Sequence, residues 1–162
     1  GGGGVWGGWG GGGVGGLLLG VGGDGGGGGG RPAARRMTPE DQASIESALI
    51  ACEKACETGD TEGYYRANKD FHVAIYAAAG NRFLAGEAER LHRRLKPFRR
   101  LQLRVRGRMP ESLREHRAIF DALVSGDAAR AGEALRRHIA VQGDRFNDLA
   151  AGYRALGLRK RA

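Results

Sequence analysis

The chain has 162 residues, enough for one domain with a hydrophobic core, and a formal net charge of +8 with a pI near 10.2. Its longest apolar run, Leu17-Leu18-Leu19, is far too short for a signal-peptide core or a membrane span, so the reading is of a cytoplasmic chain without membrane contact. The basic excess permits a negatively charged partner, but most of it is arginine spread in pairs such as Arg93-Arg94, Arg99-Arg100 and Arg136-Arg137, the pattern of a solvated surface.

Residues 1–30 hold 21 of the 31 glycines and a single charge, Asp24. A glycine-rich linker brings serine or other polar residues, whereas this one brings Trp6, Trp9 and the apolar set Val14, Leu17, Leu18 and Val21 at amphipathic-helix spacing. Glycine costs a helix roughly 1 kcal/mol per residue. Many of these glycines are therefore read as standing for residues whose side chains were not identified, and a helix is expected over about 13–34.

Thr38-Pro39-Glu40-Asp41 is a helix start: a threonine cap, proline in the first turn and acids at the positive end of the dipole. That helix should run to about Glu57 and end at Gly59. It carries Cys52 and Cys56 on the stripe of Ile45 and Leu49, which reads as reduced thiols filling core in a reducing compartment. Asp60 caps a second helix, which stops at Gly80. Asn81 opens a third, reaching about Val105 with a kink at Pro97. A break is expected over 107–110, then a helix from about Pro110 to Val124, then Gly126 and a last helix capped by Asp127 that reaches about Leu156. Residues 157–162 form a frayed tail. No stretch alternates with period two, so the fold class is all-α, a bundle of about six helices, or five if residues 1–34 are disordered.

Three histidines lie on apolar stripes of three different helices. Asn68 and His72, four residues apart, share a face with Tyr64, Phe71, Ile75 and Ala79. His116 runs with Leu113, Phe120 and Leu123, and His138 with Leu135, Gln142 and Leu149. Bundle cores are common places for metal sites. Imidazole nitrogen suits zinc, nickel, copper or iron, and Asn68 could add an amide oxygen. Four neutral donors leave a divalent ion its full charge, and its open positions would attract a carboxylate. The alternative is three core histidines, each hydrogen-bonded to its own neighbour; periodicity alone leaves the two readings level.

On a helical wheel of 84–106, Leu84, Ala88, Leu91, Leu95 and Phe98 point inward, and Arg99, Gln102 and Arg106 are the polar residues nearest that face. An arginine there could grip a carboxylate with a bidentate fork; a surface or dimer-contact arginine is the plainer alternative. His92 lies further round, at the boundary. Glu115, beside His116, could orient a ligand histidine of a neighbouring helix or simply pair with an arginine. A metal-dependent helical-bundle enzyme is a competing function, but no inward Asp or Glu is placed as a general base. A structural dimerisation module without ligand is another.

Phe71-His72, Ala77-Ala78-Ala79-Gly80-Asn81, Ser112-Leu113-Arg114-Glu115-His116, Gly126-Asp127-Ala128-Ala129 and Arg136-Arg137-His138-Ile139 together resemble the C-terminal effector-binding (FCD) domain of FadR-type regulators in the GntR superfamily. The likeness covers about 31–150, and the domain is expected to occupy 31–156. It implies an antiparallel helical bundle with a central cavity and a divalent metal, zinc first and nickel or another transition metal next. The ligands implied are Asn68, His72, His116 and His138, with a small carboxylate effector bound at the metal; Arg99, Gln102 and Arg106, from the helical wheel, are its candidate contacts. It also implies a homodimer, with the stretch 82–106 or the N-terminal helix supplying surface, and DNA binding through a winged helix-turn-helix domain that is not visible in this chain. Asp is commoner in the family where Asn68 stands, which puts full metal occupancy in doubt.

Overall fold

The computed structural model describes residues 29–139. The parts of the sequence expectations that fall on 1–28 and on 140–162 lie outside them. So do the side chains of residues 84, 87, 88, 91, 92, 94 and 95, which include most of the inward face assigned to 84–106. Among the described residues there is no strand. Helices α1 (Gly30–Arg36), α2 (Pro39–Thr58), α3 (Thr61–Ala78), α4 (Arg82–Leu103) and α5 (Arg108–Val124) follow in order. A sixth, α6, begins at 128 and is described to 139.

The helix boundaries follow from local chemistry. At the start of α2, the Asp41 N–H donates to the Thr38 hydroxyl (3.1 Å), and the Thr38 N–H donates back to the Asp41 carboxylate (3.0 Å). This reciprocal box satisfies two N–H groups that a helix start otherwise leaves unpaired. Pro39 follows where its missing N–H costs nothing. Gly59 ends α2 at φ 68°, in the left-handed region. The Asp60 carboxylate accepts from the Gly63 N–H (2.8 Å) and opens α3; the Asp127 carboxylate accepts from the Arg130 N–H (3.0 Å) and opens α6. α4 is continuous through Pro97.

One boundary differs from the sequence reading. The break falls at 104–107, not 107–110, and α5 begins at Arg108. Gly107, at φ 81°, turns the chain so that the helix starts at the next residue. Pro110 then sits in the first turn, whose N–H groups have no intrahelical partner in any case.

The loops between the described helices are short. α2 packs on α3 and α5, α3 on α4, and α1 on both α3 and α5. Ile45, Leu49 and Cys52 from α2 meet Tyr64, Phe71 and Ile75 from α3, Ile119 and Leu123 from α5, and Leu135 and Ile139 from α6. Burying each large apolar side chain contributes roughly 1.5–3 kcal/mol. Cys52 is buried and Cys56 half-buried, both as free thiols. A Cβ at Gly30 would lie 2.6 Å from the Ala131 carbonyl oxygen, so α1 and α6 approach closely at that position. No described helix is long and apolar enough to cross a membrane.

Candidate metal centre

Each of the three histidines comes to the bundle interior on its own helix. α3 buries Tyr64, Asn68, Phe71, His72 and Ile75 on one face, as a 3.6-residue period requires. α5 buries Ser112, Leu113, His116 and Ile119; α6 buries Leu135, His138 and Ile139. His72, His116 and His138 are all at most 3% exposed.

The three rings converge on one point. The His138 Nε2 lies 3.1 Å from the His72 Nε2 and 3.2 Å from the His116 Nε2. Metal-ligating atoms from the three residues lie within 4.8 Å of one another. Ring centroids are 4.7–5.5 Å apart. Two ligand nitrogens about 2.1 Å from one ion stand roughly 3.0 Å apart at a right angle and roughly 3.4 Å apart at a tetrahedral angle. The two separations from the His138 Nε2 fall between these limits. Core histidines each bonded to a separate neighbour would not bring three Nε2 atoms together.

Different forces hold the three rings. Phe71 stacks on His116 with centroids 4.3 Å apart, and Tyr64 lies parallel to it at 6.3 Å. The His116 Nδ1 has no hydrogen-bond partner among the described residues. Tyr76 stacks on His72 at 6.5 Å. His138 is held by a polar contact: its Nδ1 lies 2.5 Å from the Glu115 Oε2. Arg108, itself 3% exposed, grips both oxygens of Glu115, with its two terminal nitrogens at 3.3 and 3.2 Å, and also reaches Glu111 at 3.2 Å.

The electrostatics follow from burial and these partners. Burial alone would raise the Glu115 carboxyl, but hydrogen bonds from His138 and Arg108 overcome it and bring the group down to about 2. An ionised carboxylate only accepts, so the proton between the two groups belongs to His138 Nδ1. Burial lowers His138 and outweighs the opposing pull of Glu115; burial lowers His116 well below the usual range, and His138 adds to this. Both shifts favour the neutral imidazole at His116 and His138. With its ring proton on Nδ1, His138 offers its Nε2 lone pair to the shared point. An electron-pair acceptor between the rings could take that lone pair together with those of His72 and His116.

Beside the histidines lies a small pocket lined by Asn68, Arg99, Gln102, Leu103, Arg108 and Ser112. Its volume, about 10 Å³, holds roughly one water-sized group. Asn68 is buried and one helical turn from His72; Arg99 and Gln102 are half-buried. Burial lowers the Arg99 guanidinium to about 10, which leaves it a cation at neutral pH. Arg106 does not join them. α4 ends at Leu103, so Arg106 falls in the exposed turn rather than on the inward face of a helix. Arg108 takes that place, and sequence reasoning missed it because the break was placed over 107–110. The available signal was its spacing, three and seven residues before Glu111 and Glu115, which puts all three on one helix face once the helix starts early enough.

The described residues thus define an all-helical domain with a buried three-histidine cluster in its interior. Residues 28–141 match the model of the FCD domain family, and the chain belongs to that family, whose members are regulatory domains of GntR-type transcriptional regulators. The chain is 32% identical over 120 residues to the galactonate operon transcriptional repressor of Escherichia coli (strain K12), an alignment that covers 72% of this chain and 51% of the repressor. It thus spans about half the length of that relative. The fold is similar to that of E. coli McbR/YncC, with a TM-score of 0.65 and 21% identity over 74% of this chain and 57% of that one.

Proposed function

We propose that this domain senses a small carboxylate through a divalent metal held by His72, His116 and His138, with Asn68 as fourth donor, and that ligand occupancy alters DNA binding by a regulator of which it is part. The approach of the His72 and His116 Nε2 atoms to the His138 Nε2, with ring nitrogens of all three residues within 4.8 Å of one another, carries the reading. Zinc is the first choice of ion, because a set of imidazoles suits it; nickel is the next. When bound, the metal supplies Lewis-acid charge that four neutral protein donors do not cancel. The chain's own residues shape the rest. Asn68, Arg99 and Gln102 line the adjoining pocket, and the Arg99 cation can pair with a carboxylate. Since that pocket holds roughly one water-sized group, an organic acid enters by displacing side chains around it.

A sensor suits the site better than an enzyme does. Glu115, the carboxylate in contact with His138 among the described residues, has both oxygens engaged by Arg108 and His138, which leaves neither to act as a general base. The relative's name places it at a galactonate operon. Galactonate is a small polyhydroxy carboxylate, so sugar acids belong in the first panel of ligands.

Metal analysis of the purified protein, followed by thermal melts with small organic acids, tests the proposal. One equivalent of metal and acid-dependent stabilisation are expected. His116→Ala leaves two imidazoles and an amide, and should lose metal and acid response together. Full metal content in that variant, or an undiminished acid response in its metal-free form, would sink the mechanism.

A further inference from the structure

We propose that Glu115, clamped by Arg108, is the positioning residue that sets the tautomer and direction of His138. This inference rests on the metal reading above and goes a step further, since it says which of the three imidazoles is fixed from behind and by what. The observation is a chain of contacts running away from the histidine cluster. His138 Nδ1 lies 2.5 Å from Glu115 Oε2; that same oxygen lies 3.2 Å from one terminal nitrogen of Arg108, and Oε1 lies 3.3 Å from the other. Both carboxylate oxygens are thus held, and the carboxylate cannot rotate without breaking the fork.

The local backbone makes this arrangement possible. Gly107 turns the chain at φ 81°, so that Arg108 becomes the first residue of α5 and lies on the same face as Glu111 and Glu115. Glu115 precedes His116 in sequence but serves a histidine on α6. Successive helical residues point about 100° apart, so Glu115 reaches across to α6 while His116 turns into the core. One dipeptide therefore supplies a ligand to the cluster and the support for another ligand.

The consequence for the imidazole is specific. A neutral ring carries one proton, and the carboxylate places it on Nδ1. Nε2 is then the lone pair facing His72 and His116. Without Glu115 the proton distributes between the two nitrogens, and the ring can rotate. His116 has no such partner among the described residues and is held instead between Phe71 and Tyr64. Loss of Glu115 should therefore be felt at His138 and not at His116.

The test uses the whole chain and two readouts. Zinc affinity is measured by competition with a chromophoric chelator, and the His138 tautomer by ¹⁵N imidazole shifts in the metal-free protein. Glu115→Ala is expected to bind zinc about 10–100-fold more weakly. Its metal-free His138 should show mixed tautomers. Glu115→Gln, whose amide oxygen can still accept from Nδ1, should recover part of both. Wild-type affinity in Glu115→Ala overturns the positioning role while leaving the metal site standing. Absence of zinc binding by the wild type would overturn the metal reading, and a wild-type His138 tautomer in metal-free Glu115→Ala would overturn the inference independently. Should Glu115→Ala fail to fold, Arg108→Lys replaces the two-pronged grip by a single contact, and the same two readouts should move in the same direction by a smaller factor.

Discussion

Cys52 and Cys56 differ only by one helical turn, yet their environments separate them. Cys52 is fully buried, and burial, with the Asp70 charge adding to it, pushes its thiol from 9.0 up to about 12. Cys56 is half-buried. A disulfide reagent should therefore label Cys56 first, and Cys52 only at the rate at which α2 opens. Equal labelling of both in the native protein would contradict the packing. The same burial bears on alkaline stability. Tyr76 is raised from 10.0 to about 12, again by burial. In both cases the folded value lies above the unfolded one, so the neutral groups contribute fully below pH 9.0 and the contribution is lost as pH rises towards about 12. The melting temperature should fall across that window, and Cys52→Ala should flatten part of the decline. At the cluster, the inward direction of His72, His116 and His138 was legible as single letters on apolar stripes. Their convergence was not, because periodicity gives the face of each helix and not the angle between helices.

The helices themselves were readable because their ends carry explicit chemistry. Thr38, Gly59, Asp60, Gly80 and Asp127 all mark the boundaries expected of them. The start of α5 was misplaced by two residues, because Pro110 looks like a first residue and Gly107 looks like the middle of a loop. That small shift hid Arg108. It also separates two kinds of cap mutation. Thr38→Ala removes the capping box of α2 and should cost about 0.5–2 kcal/mol by denaturant titration, with no change in zinc affinity. Gly107→Ala forces a side chain into the left-handed region and should cost about 1–2 kcal/mol. Unlike the first, it should also weaken zinc binding, since it disturbs the residue that holds Glu115. If the two variants behave alike in zinc affinity, Gly107 is only a turn.

At the scale of the molecule, two expectations concern what holds the bundle and its copies. Regulators that read two-fold operators are two-fold themselves, so the chain should run as a dimer by light scattering at micromolar concentration. Phe83 at the start of α4 is 71% exposed, unusual for a phenylalanine, and Phe83→Glu should shift the equilibrium toward monomer if α4 supplies the contact. The other expectation concerns the metal as a structural tie. His72, His116 and His138 come from α3, α5 and α6, which meet through no loop at this point. An ion bound there binds the folded chain alone, because the unfolded chain scatters the three imidazoles. Free metal at 100 times its dissociation constant then stabilises by about 2.7 kcal/mol. For a domain of this size each kcal/mol moves the melting temperature by several degrees, so a chelator should lower it by roughly 10 °C. His116→Ala should melt at one temperature with or without chelator. If the wild type does the same, then the three rings are packed against one another without an ion, and the stability of the bundle comes from its apolar core alone.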